Sequence, residues 1–326
     1  MINTKGHNMI ITSRTMERFL LAVLYFCTVP VTAEPNPQLV EKYSKLIGNK
    51  TEFVHISLYG LPEFTLTDAD AEAIAAILAK NHTLKKLDLG RNKITSEGTK
   101  KIAEALKNNS TLTYLSLADN EIGPEGAEKL AELIAINSTL ENLILRNNKI
   151  ASEGAKKIAE ALKNNSTLTY LDLGDNEIGP EGAEKLAEFI AINSALLSLS
   201  LNDNKIGDKG AEWVANLIKK NKSLYMMSME ENQISDTGAK KIIDALSKNS
   251  TFTYFILDAS KPFDNPIQER VSEITKRNGK IQSLLNKFRH VTPALLTQTG
   301  SNFDILPPEL KLKILVELAK INEITP

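Results

Sequence analysis

The chain is poor in the residues that specialised chemistry needs. Its 326 residues include one cysteine, one tryptophan and four histidines, and aromatic residues make up 6% of the whole. A single thiol excludes an internal disulfide scaffold and a cysteine-rich metal site. His7, His55, His82 and His290 are far apart, and none has a ligand-type residue three or four positions on. Charge is balanced as well, with 39 basic against 40 acidic side chains, so no strong field draws the chain to nucleic acid or anionic lipid. Phosphate-loop, zinc-protease and nucleophile-elbow motifs are all missing from the sequence. These absences predict a protein with no cofactor, no metal and no catalytic centre.

The one long apolar run, Phe19–Val31, has 13 residues, fewer than the roughly 20 that cross a bilayer. Lys5, Arg14 and Arg18 precede it, and Val31-Thr32-Ala33 followed by Glu34-Pro35 supplies small residues before a polar turn. That order reads as a secretory signal peptide over 1–33, cleaved after Ala33. Cleavage would remove three bases, one acid and Cys27, leaving 36 basic and 39 acidic groups and no thiol. The expected product is exported and keeps no stable membrane anchor.

What the chain has in abundance is repetition. Segments beginning at Asn81, Asn109, Asn137, Asn165, Asn193, Asn221 and Asn249 align without a gap at a 28-residue period. The unit 137–164 carries Leu140-x-x-Leu143-x-Leu145-x-x-Asn148-x-Ile150, and the same frame recurs in its neighbours. Leu143 and Leu145 alternate with polar positions, as in a short strand with one buried face. The second half of each unit is helical, with Ser152 or Pro124 at the start, an acidic residue in the first turn, and Ile158 and Leu162 four apart. A ladder of Asn92, Asn120, Asn148, Asn176, Asn204 and Asn232 marks the turn after each strand, where an amide can bond backbone groups. Glycines at 98, 126, 154, 182, 210 and 238 recur near the helix start, where they should let the strand and helix layers approach. Segments 109–136 and 165–192 differ at only three positions, so a 56-residue double unit has been copied.

This unit, with its Gly-Ala-Lys/Glu-x-Leu/Ile-Ala-Glu helix, resembles the ribonuclease-inhibitor-like subfamily of leucine-rich repeats over roughly 53–276. The resemblance implies an α/β solenoid, a horseshoe with an inner parallel sheet and outer helices. The expected organisation is a signal peptide (1–33), an N-terminal capping region with a degenerate first repeat (34–80), seven repeats (81–276) and a helical tail (277–326).

Such solenoids bind partners on the strand face. In this frame the exposed strand columns contain Lys86, Tyr114, Asn142, Tyr170, Met226 and Tyr254, with Asp172 beside them and Arg146 and Glu230 one turn on. Tyrosine and methionine offer large contact areas, and tyrosine adds a polar tip, so these nine residues form the candidate protein-binding site on the concave face. Five Asn-x-Thr sequons of the repeats, at Asn81, Asn109, Asn137, Asn165 and Asn249, coincide with the repeat consensus and have a structural reading beside glycosylation. In the tail, Leu306, Pro307, Leu310, Ile314, Leu315 and Leu318 have the spacing of the first helix of an F-box, which they resemble. That resemblance implies docking to a ubiquitin-ligase adaptor subunit, whereas an amphipathic capping helix accounts for the same stripe. The combined expectation is a non-catalytic, exported protein-binding module of the kind a bacterial effector-type adaptor acting on host proteins would be. Two alternatives stand beside it. One is a small-GTPase regulator, since the repeats also resemble the Ran GTPase-activating proteins. The other is an extracellular adhesion or receptor-type binder.

Overall fold

The computed structural model describes residues 55–60, 65–257 and 266–289. Eight three-residue strands alternate with eight helices. The strands are β1 (His55–Ser57), β2 (Lys86–Asp88), β3 (Tyr114–Ser116), β4 (Asn142–Ile144), β5 (Tyr170–Asp172), β6 (Ser198–Ser200), β7 (Met226–Ser228) and β8 (Tyr254–Ile256). The helices are α1 (Asp68–Leu78), α2 (Ser96–Leu106), α3 (Gly123–Ile136), α4 (Ala151–Leu162), α5 (Gly179–Ile190), α6 (Gly207–Lys220), α7 (Asp236–Ser247) and α8 (Pro266–Arg289). Every strand pairs in parallel with the next, giving one open sheet in the order β1 to β8. The register from β2 onward is the sequence period itself: Lys86 faces Tyr114, Tyr114 faces Asn142 and Asn142 faces Tyr170.

The core lies between the sheet and the helix layer. Leu87, Leu115, Leu143, Leu171 and Leu199 at the strand centres are buried, as are Ile102, Leu130, Ile158, Leu186 and Val214 on the helices. Strands this short bury one side chain each on the helix side, so no repeat has a core of its own. Stability comes from stacking, with each repeat contacting mainly its neighbours.

Two asparagine ladders stitch the stack. In the expected one, Asn148 donates from Nδ2 to the carbonyls of Leu117 (2.9 Å), Leu145 (3.0 Å) and Arg146 (3.0 Å), and its own N–H donates to Asn176 Oδ1 (3.0 Å). The second ladder consists of the asparagines that open each repeat. Asn137 Oδ1 accepts from the N–H groups of Thr139 (2.9 Å) and Leu140 (2.8 Å), while Nδ2 donates to Leu106 O (2.9 Å) and Asn109 O (3.2 Å). The first pair closes an Asx turn; the second satisfies the last carbonyl of α2, one repeat back, and the carbonyl of the opening asparagine of the neighbouring repeat.

The helix starts come in two kinds. At Thr67, Thr95 and Ser235 the backbone is extended, and at the latter two the side chain accepts from the N–H two residues on. At Gly123, Ala151, Gly179 and Gly207 the backbone is left-handed, φ +57 to +65°, and its N–H donates to the carbonyl of the next repeat's ladder asparagine. Ser152 therefore does not cap α4: it lies inside the first turn, and its Oγ makes no hydrogen bond. The recurring glycines also serve a different contact from the expected one. A Cβ on Gly154 would lie 2.7 Å from Ile150 Cγ2 in its own repeat, and 2.8 Å from Ala127 Cβ and 3.2 Å from Pro124 Cα on the preceding helix. Glycine there lets adjacent helices close together, and makes room for the isoleucine that precedes the helix in its own repeat.

At the C-terminal end, helix α8 spans residues 276 and 277, and Arg277 and the fully buried Asn278 both bind the last repeat. Residues 1–54, which hold the expected signal peptide and the first part of the N-terminal capping region, lie outside the described residues. So does the tail from 290 onward.

Candidate functional site

The face of the sheet turned away from the helices carries the first and third residue of every strand, and these form continuous rows. One row is His55, Lys86, Tyr114, Asn142, Tyr170, Ser198, Met226 and Tyr254; the other is Ser57, Asp88, Ser116, Ile144, Asp172, Ser200, Ser228 and Ile256. Neighbouring rungs are about 4.8 Å apart, so adjacent side chains in a row are close neighbours. Lys86 Nζ lies 6.0 Å from the ring centre of Tyr114, at the limit of a cation–π contact. Burial pushes the Tyr114 and Tyr170 phenols up, and the charges of Asp88 and Asp172 add to it. Both tyrosines therefore stay neutral hydrogen-bond donors through the physiological range.

All nine strand-face candidates lie on this side or on the turn that follows it. Lys86, Arg146 and Tyr254 are exposed, whereas Tyr114, Asn142, Tyr170, Asp172, Met226 and Glu230 are half-buried. Glu230 is held in place: its carboxylate accepts from Asn202 Nδ2 (3.2 Å) and its N–H donates to Asn202 Oδ1 (2.9 Å). Asp172 accepts from the Gly174 N–H at 2.9 Å, which fixes its carboxylate at the strand end. The six tail candidates, Leu306, Pro307, Leu310, Ile314, Leu315 and Leu318, lie outside the described residues.

Two residues were missed by strand periodicity. Leu197 (36% exposed) and Tyr225 (40%) immediately precede β6 and β7, and they continue the apolar surface of Met226 and Tyr254 (46%). The preceding repeats have Glu141 and Thr169 at the equivalent position, so the signal was a polar-to-apolar change along one column.

On the helix side, a shallow groove of about 320 Å³ between α6 and α7 is lined by Glu212, Ala215, Asn216, Lys219, Lys240, Lys241 and Asp244. Lys241 bridges it to Glu212 at 2.7 Å, an exposed pair of small energetic weight. Among the described residues there is no group of three metal-ligating side chains, and no helix is long and apolar enough to cross a membrane.

Five segments, 80–103, 108–131, 137–159, 164–187 and 193–215, match the family described as Leucine Rich repeat. The same pairing register continues past the last match, through β7 and β8. No curated protein matches the chain. Among solved structures, the tropomodulin C-terminal domain of Caenorhabditis elegans is similar at 18% identity and a TM-score of 0.43, over 49% of this chain and 98% of that one. Leiomodin-1 actin-binding site 2 is similar at 15% identity and a TM-score of 0.29, over 80% and 99%. An internalin (inlF) from Listeria monocytogenes is similar at 20% identity and a TM-score of 0.39, over 67% and 63%. With its repeats matched and its strands in one unbroken parallel register, this chain folds as a leucine-rich-repeat α/β solenoid.

Proposed function

We propose that the protein is a non-catalytic binding module whose strand face takes a protein ligand. The observation that carries this reading is the row Tyr114, Asn142, Tyr170 and Met226, half-buried and continuous with exposed Leu197, Tyr225 and Tyr254. Rigid aromatic side chains on a fixed scaffold give contact area at small cost in side-chain entropy, which is what protein interfaces use. Site-specific photo-cross-linking tests it. A benzophenone amino acid at Tyr170 should yield discrete adducts in the native host, and one at Lys156 on α4 should not. Adducts from Lys156 alone would overturn the reading.

We further propose that the protein is exported and acts as an effector-type adaptor, with the 306–318 stripe as its ligase-docking element. The N-terminal charge and apolar pattern supports export, and the Leu-Pro-x-Glu-Leu spacing supports docking. A mass beginning at Glu34 in the exported fraction is the expected result, and a full-length species retained in the cytosol would contradict it. For the tail, loss of binding to purified adaptor subunit on Leu310→Asp is expected, and no binding by the native protein would end the docking reading. The extracellular receptor reading would gain from occupied sequons. Burial of the asparagines in the five repeat Asn-x-Thr sequons counts against glycans at those sites.

A further inference from the structure

The sheet face differs in charge from end to end. At β2 and the turn after it, Lys85, Lys86, Arg91 and Lys93 are exposed, with Asp88 as the one acid. Over β5 to β7 and their turns the balance reverses: Asp172, Asp175, Glu177, Asp203, Glu230 and Glu231 stand with Lys205 as the only base, and Lys205 is paired to Glu177 at 2.7 Å. The two ends, β2 and β6, are four rungs or about 19 Å apart. That exceeds the Debye length of about 8 Å at physiological salt, so neither pole cancels the other. The acidic pole lies on the same rungs as the apolar surface of Leu197, Tyr225 and Met226, which continues to Tyr254 on β8.

We propose that this end of the face docks a basic protein segment, with arginine or lysine side chains over Asp172, Asp203 and Glu231 and an apolar side chain over Met226 and Tyr254. The inference rests on the strand face being the binding surface and adds the chemistry of the partner. Charge complementarity selects it: an acidic surface repels nucleic acid and anionic lipid, and exposed tyrosine faces attract guanidinium and ammonium groups. The basic pole at β2 would orient the bound segment, because reversing it would put cations on Lys86 and Arg91.

The test uses the full chain and fluorescent 15-residue peptides of arginine, leucine and serine, a glutamate analogue, and an arginine–serine peptide lacking leucine. The first peptide should bind tightest, the glutamate analogue should not bind, and affinity should fall steeply with salt. Asp203→Lys with Glu231→Lys should lower affinity by about tenfold or more, whereas the charge-matched pair Glu160→Lys with Glu188→Lys on the outer helices should not. Salt dependence of the wild-type chain needs no variant and covers the case in which the reversed protein misfolds. Equal binding by both double variants, preference for the glutamate analogue, or no binding by any peptide would overturn the proposal. A partner cross-linked at Tyr170 that is indifferent to the Asp203/Glu231 reversal would overturn the charge inference alone and leave the strand-face reading standing.

Discussion

Arg277 stands 28 residues after Asn249 and donates from its guanidinium to the Asn249 carbonyl oxygen at 3.2 Å. In each earlier repeat that carbonyl is reached by the amide of the next asparagine, as Asn249 Nδ2 reaches Asn221 O at 3.4 Å. Arginine thus takes the ladder position in the last unit and also reaches the Ser247 carbonyl at 3.0 Å, at the end of α7. Its longer side chain lets α8 close the stack without forming another strand. Partial burial draws its pKa down, but a guanidinium remains charged. Arg277→Ala should leave two carbonyls at the end of the array without this donor and cost about 2 kcal/mol. Hydrogen exchange is expected to rise in α7 and α8 and to be unchanged in α2 to α4. Uniform change along the array would contradict the capping role.

The asparagines of the five sequons are all at most 9% exposed. Both Nδ2 hydrogens of Asn137 are directed at carbonyls, so a glycan would replace a buried donor and leave an acceptor unsatisfied. Protein folded in a glycosylating cell should carry no glycan at Asn109, Asn137 or Asn165, which site-resolved glycopeptide mapping would show. An occupied site in natively folded protein would contradict the ladder geometry. By the same logic, Asn137→Ala should cost about 3 kcal/mol in urea unfolding.

Ala151 occupies the position that Gly123, Gly179 and Gly207 fill elsewhere, at φ +57°. A Cβ in the left-handed region costs roughly 1 kcal/mol, offset in part by the greater freedom of glycine in the unfolded chain. Ala151→Gly should therefore stabilise the protein by about 0.5 kcal/mol, and Ala151→Val should destabilise it by more than that. Equal midpoints for all three in chemical denaturation would contradict the strain.

Asp208 joins α6 to α7. It accepts from Ser235 Oγ (2.5 Å) and Ser235 N–H (2.8 Å), and these bonds, the side-chain one foremost, hold its carboxyl below the ordinary value of 3.8. A folded-state pKa below the unfolded one contributes stability that is complete above the unfolded value and is lost as pH falls through the folded one. The difference in unfolding free energy between wild type and Asp208→Ala should be present at pH 7 and shrink as pH drops below about 4. A difference that stays constant over that window would show that the carboxylate's charge is not what binds Ser235.

The fold was legible because the period carries its own register. Once Asn137 and Asn165 align, the pairing of Asn142 with Tyr170 follows, and the structure has that pair. The strand-face columns were legible for the same reason. Three features were not. The helix–helix contact at Gly154 depends on the distance between two layers, which spacing along one chain does not contain. The left-handed start at Ala151 is set by the carbonyl of Asn176 in the next repeat, a bond between units rather than within one. Leu197 and Tyr225 precede their strands, outside the alternation that sorts strand residues into two faces. Arg277 falls on the frame but has none of the consensus chemistry, so only the geometry shows it acting as the terminal rung.

The central claim is that the strand face, not the helix face, binds a protein. It is tested most directly by titrating the partner captured at Tyr170 against the full chain. Tyr170→Ala with Met226→Ala should weaken binding by about 2 kcal/mol or more, the range of interface hot spots, while Lys156→Ala with Lys185→Ala should leave it within about 0.5 kcal/mol. Loss of binding with the helix-face pair, and none with the strand-face pair, would contradict the account.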